Sequence, residues 1–167
     1  MRIAKIALAA AAIAASTAMP ASADPTFETG VNTGDAGFVS VTLNTGLAAS
    51  RSADSPDQGV LDAKCSYEQI NTPNSGYATL VIAGYAAASP QGTNRAVATS
   101  LKCVIKNYYT GATVYEGTAA NESTAAINVP TPPTVQSAAW IVCTETKALY
   151  ANGAFVTTER LHCINPF

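Results

Sequence analysis

Few residues in this chain have the types and spacing that bond-making chemistry needs. His162 is the single histidine, and it adjoins Cys163. A serine or cysteine nucleophile would need that imidazole as its base. No G-x-S-x-G elbow presents a serine to it. Glu145 and Glu159 sit on strands expected to pair, so they are the candidate carboxylate pair for glycoside hydrolysis. The simpler expectation sets them against Lys147, Arg160 or solvent on an exposed face. Asp54, Asp57 and Asp62 do not follow the calcium-loop pattern of fixed oxygens, a central glycine and a terminal glutamate. Neither G-x-x-x-x-G-K-[ST] nor G-x-G-x-x-G occurs, so no phosphate cradle is expected. These residues point to no catalytic group, no cofactor and no metal ion.

Recognition has better candidates. Tyr108 and Tyr109 fall at an expected turn, and Trp140 opens the last hairpin. Exposed tyrosine and tryptophan anchor interfaces and stack on sugars. Trp140 has a competing place in the core.

The 167 residues include 9 Lys+Arg and 11 Asp+Glu, and only 12 % are charged. A nucleic-acid binder would need a basic cluster that is missing here. Arg2 and Lys5 precede an apolar run from Ile6 to Ala15, and Ala21-Ser22-Ala23 follows. A basic start, a short apolar stretch and an A-x-A end describe a secretory leader. The expected cleavage is after Ala23, giving a secreted chain from Asp24 whose formal charge moves from −2 to −4 with the loss of Arg2 and Lys5. No later stretch approaches the ~20 apolar residues of a membrane helix.

Export puts Cys65, Cys103, Cys143 and Cys163 in an oxidising compartment, where disulfides are the expected state. Their spacings are 38, 40 and 20 residues. No C-x-x-C pair occurs, so zinc-ribbon and thioredoxin-like chemistry is not indicated. Cys143 and Cys163 lie near the open end of a hairpin, which favours Cys143–Cys163 with Cys65–Cys103. Cys103–Cys143 with Cys65–Cys163 stays open as the rival pairing.

The elements that must position these groups are short and strand-like. Residues 24–59 are thin in large apolar side chains, with one possible strand at Phe38–Leu43 and a loop at Ala49–Pro56. From Val60 the pattern changes. Leu61, Ala63, Cys65 and Tyr67 alternate with polar neighbours, as do Val97, Thr99, Leu101, Cys103 and Ile105. A period of two marks strands with one buried face. Tyr77–Ala87 is nearly continuous apolar sequence, expected as a central strand. Asn71–Gly76 and Ser89–Asn94 are turn clusters. Ala112–Gly117 and Thr124–Val129 are candidate strands. Pro130-Thr131-Pro132-Pro133 must connect outside a sheet ladder. Asn152-Gly153 between Ala139–Tyr150 and Phe155–Cys163 is a hairpin signal. A three-residue loop with Ala154 sets Cys143 opposite Cys163 and Lys147 opposite Glu159. A two-residue loop sets Glu145 opposite Arg160. Seven or eight such strands without an amphipathic helix predict an all-β antiparallel sandwich in residues 60–167, with a small β-barrel as the alternative.

Ala98-Thr99-Ser100-Leu101-Lys102-Cys103, Ile141-Val142-Cys143, Ala148–Gly153 and Cys163 together resemble small exported bacterial proteins with immunoglobulin-like sandwiches and no assigned activity. That resemblance spans about 100 residues and implies a fold and an address. A second resemblance is to the neocarzinostatin-like apoproteins, which are secreted acidic sandwiches with two disulfides and a small apolar ligand. Their bridges close short local loops, whereas the nearest cysteines here are 20 residues apart. No ligand residues carry over. The expected function is non-enzymatic: binding outside the cell, or a role at the cell exterior. The partner would be a protein, a glycan or a small apolar ligand. The alternative is a secreted hydrolase inhibitor or small-ligand carrier.

Overall fold

A computed structural model describes residues 26–29, 35–44, 60–90, 93–151, 153, 155–158 and 160–164. The expected leader, its cleavage after Ala23, the Ala49–Pro56 loop and Glu159 lie outside the described residues. The elements are β1 (Thr26–Thr29), β2 (Ala36–Asn44), β3 (Val60–Asn71), β4 (Tyr77–Ala88), β5 (Ala96–Asn107), β6 (Thr113–Asn121), β7 (Thr124–Asn128), β8 (Thr134–Gln136), β9 (Trp140–Tyr150), β10 (Phe155–Thr157) and β11 (His162–Ile164). They form two antiparallel sheets and no closed barrel. The first sheet has the order β1-β2-β3-β4-β7, with β8 also on β4; the second has β10-β9-β5-β6, with β11 also on β9. The all-β sandwich expected from the alternating pattern is the fold.

Alternation builds the core. Leu61, Ala63, Cys65 and Tyr67 on β3 face Leu101, Cys103 and Ile105 on β5, with Leu80 and Ile82 of β4 and Val142 and Tyr150 of β9 in the same cluster. β2 joins this layer through Val39, Val41 and Leu43, and it pairs with β3 from Ala36↔Glu68 to Asn44↔Val60. The first sheet therefore includes residues on both sides of position 60, the expected start of the domain.

Two disulfides form, Cys65–Cys103 and Cys143–Cys163. Cys65–Cys103 crosses between the sheets with 5.7 Å between the Cα atoms, and both residues are fully buried. Gly84 is the cross-strand partner of Cys65. A Cβ there would stand 2.7 Å from the Cys103 sulfur and 3.1 Å from Leu101 Cδ2. The missing side chain thus makes room for the bridge.

Cys143–Cys163 joins directly opposed residues of β9 and β11, 4.0 Å apart at Cα. The hairpin that brings them together differs from both expected registers. Phe155 pairs with Leu149 and Thr157 with Lys147, so Lys147 faces Thr157, where the three-residue loop had set Glu159. The ladder then slips. Thr158 N donates to Thr146 O, while His162 pairs with Thr144. The pairing thus shifts by two residues between Thr158 and His162. The slip restores the register in which Cys163 faces Cys143.

Candidate functional site

The β5–β6 connection is built by Asn107. Its side-chain Oδ1 accepts from Tyr109 N at 2.9 Å and Thr110 N at 3.0 Å, and its carbonyl accepts from Gly111 N at 2.8 Å. Asparagine favours such turns because its short amide mimics a backbone carbonyl. Gly111 takes φ +69°, which a Cβ would oppose. The turn projects two rings. Tyr109 is 72 % exposed and Tyr108 37 %. Their rings meet edge to face with centroids 5.3 Å apart, a preferred aromatic geometry.

A second turn lies at the same end of the sandwich. Asn71–Gly76 links β3 to β4, with left-handed Asn74 and Gly76. Thr72 N donates to Tyr77 O, and Ser75 Oγ to Thr72 O. Residues Ser137–Ala139, just before β9, hold both turns. Ser137 N donates to Gly76 O and Ser137 Oγ to Asn71 Oδ1. Ala139 O accepts from Tyr108 N at 2.9 Å. Asn71 Nδ2 also reaches Asp35 Oδ1 at 3.2 Å.

Trp140 comes next in the chain, and of its two expected places it takes the core, which removes it from the recognition residues. It is 1 % exposed, within the core. Its Nε1–H donates to Gln69 Oε1 at 2.6 Å, and the same oxygen accepts from Ala138 N at 3.3 Å. Indole area favours burial, and Gln69 satisfies the one polar atom that burial would otherwise strand. Trp140 anchors the tyrosine-bearing end from below and offers no surface to a partner. Gln69 was the residue that sequence reasoning missed. It is a polar residue at an inward position of an alternating strand, and that pattern was its available signal.

The four cysteines are all bridged. The His162 ring nitrogen Nε2 lies 3.2 Å from Thr158 O. Glu145 is half-buried and pairs across the ladder with Lys102. Lys102 Nζ contacts Glu116 at 2.7 Å, and this hydrogen bond holds the Lys102 pKa above its ordinary value. Among the described residues, no three His, Cys, Asp or Glu side chains gather to hold a metal ion. No helix among them is long and apolar enough to cross a membrane.

A shallow, open depression lies on the outer face of the first sheet. Phe38, Ser66, Glu68, Val81 and Ala83 line it, with Ala36, Gly37 and Tyr67 at one side. Comparison with protein-family models, with curated proteins and with solved structures finds no match for this chain.

Proposed function

We propose that this chain is an exported, non-enzymatic binding protein. It engages an extracellular or cell-surface protein or glycan through the Tyr108–Tyr109 end of a disulfide-locked sandwich. The observation that carries this is the pair of edge-to-face, solvent-facing tyrosines on a turn fixed by Asn107, Gly111 and Ala139. Tyrosines held in one conformation before contact lose little entropy when they bind. The tip projects outward, which suits the surface of a large partner better than a small enclosed ligand. The two disulfides accord with an oxidising exterior, and the cleaved leader is part of the proposal. The groups that covalent catalysis would use are engaged elsewhere: the sulfurs in bridges, and the His162 ring against Thr158 O.

The test is binding of the purified oxidised chain to a panel of cell-wall polysaccharides, soluble glycans and surface proteins. Wild type is compared with Tyr108→Ala/Tyr109→Ala. Truncating an anchor aromatic weakens binding about tenfold or more. Loss of binding with unchanged circular dichroism supports the assignment. Inhibition of a hydrolase that depends on both tyrosines would name that enzyme as the partner. Undiminished binding by the double variant would remove the tyrosine turn from the function.

A further inference from the structure

The first sheet shows an unusual outer face. Its interior strand β4 turns Tyr77, Val81 and Tyr85 to solvent, all exposed, and Ile70 of β3 joins them. Central strands with one solvated face normally alternate apolar with polar residues. Side by side across the strands, three outward rows can be followed. The middle row is Phe38, Ser66, Ala83 and Asn128. On one side lie Ser40, Lys64, Tyr85 and Ala126, and on the other Ala36, Glu68 and Val81. Lys64 Nζ sits 4.1 Å from the centre of the Phe38 ring.

This arrangement is self-complementary. Let a second copy be turned over about a twofold axis running along the middle row. Each outer row then meets the other. Lys64 faces Glu68 of the second copy, Tyr85 faces Val81, Phe38, Ser66 and Ala83 meet themselves along the axis, and Asp62 comes over Ile70 at the rim. Tyr85 falls where the depression beside Glu68 and Val81 is open. A twofold axis along β3 instead sets Lys64 on Lys64 and Glu68 on Glu68, a like-charge clash. Charge thus selects one of the two in-plane axes. We infer that the outer face of the first sheet docks on the same face of a second copy of this chain, with Lys64 and Glu68 paired reciprocally across a twofold axis. Twofold dimers use one patch twice, so residue i meets j and j meets i. Burying Tyr85 and Val81 drives the contact, and the charge pairs fix its register.

This inference is independent of the tyrosine turn. The experiment is sedimentation equilibrium of the full oxidised chain, with Lys64→Glu, Glu68→Lys and the exchanged double variant. Wild type should show a concentration-dependent dimer. Each single reversal should weaken it at least about tenfold, and the exchange should restore it. Carbodiimide cross-linking provides a test that needs no variant. Lys64 and Glu68 are four residues apart on one strand, about 13 Å, too far for a zero-length link within a copy. Their cross-linked peptide should therefore appear only in the dimer band, and only between copies in an isotope-mixed sample. Tyr108→Ala/Tyr109→Ala should dimerise as wild type does. A wild type that stays monomeric to roughly 1 mM overturns the inference. So does an exchanged variant as weak as the singles.

Discussion

Cys65–Cys103 and Cys143–Cys163 are the same bond in opposite settings. The first ties β3 to β5 across the core, with both cysteines inaccessible to solvent. The second lies on the outer side of the second sheet and fastens a three-residue strand, with Cys143 buried and Cys163 exposed. Their sequence separations are 38 and 20. Loop closure alone would make them differ by only about 0.6 kcal/mol, because its cost grows with the logarithm of length. Burial separates them far more. The inner bridge is shared by both sheets and has a space made for it by Gly84. The outer bridge fastens a three-residue strand that pairs with β9 and sets Ile164 against the margin of the core. Sequence separation therefore says little about what a disulfide does; its position relative to the core says more.

Four measurements would break or sharpen this contrast. Replacing Cys65 and Cys103 together by alanine should cost about 2–5 kcal/mol in denaturant unfolding, felt across both sheets. A cost no larger than that of losing the outer bridge would end the distinction. Gly84→Ala should cost about 1–3 kcal/mol, since the new methyl meets the Cys103 sulfur and Leu101. In the variant without the inner bridge the same substitution should cost less, and a double-mutant cycle reads that coupling. Replacing Cys143 and Cys163 by alanine should cost about 1–2 kcal/mol globally, capped by the free energy of local undocking. Its signature is faster amide exchange at His162–Ile164, with little change in β3 or β5. The smallest effect is at high pH and concerns two groups of the second sheet, Lys102 on its outer face and Tyr115, which packs against the core. The hydrogen bond to Glu116 raises the Lys102 pKa above 10.5, and burial raises that of Tyr115 above 10.0. Both contributions to stability are intact below about pH 10 and are lost as pH climbs through the raised values. Thermal unfolding should thus soften above pH 10. Lys102→Met and Tyr115→Phe should each flatten that decline.

Much of the fold was legible because its signals are local. The alternation through Leu61–Tyr67 and Val97–Ile105 reports which side of each strand meets the core. The final hairpin was legible in part. The sequence suggested the cysteine facing, but not how it is reached. The change of register after Thr158 follows the buried Thr146–Thr158 pairing, which no periodicity records. β4 was readable as a central strand, yet its continuous apolar sequence concealed that Tyr77, Val81 and Tyr85 face outward. The tyrosine turn was visible as a turn. Its attachment to Ala139 joins residues 31 positions apart and the burial of Trp140 against Gln69 joins residues 71 apart, so both emerge only from the packing.

The sealing of Cys65 and Cys103 has a consequence for biogenesis. Once the two layers have closed, no oxidant or thiol-exchange catalyst can touch those sulfurs. The inner link must therefore be made while the layers are still parted, or as they shut. Afterwards it is inert to the redox weather outside, whereas Cys163 stays within reach of any passing thiol. The chain would thus retain a one-way chemical record of its assembly beside a clasp that can still be undone.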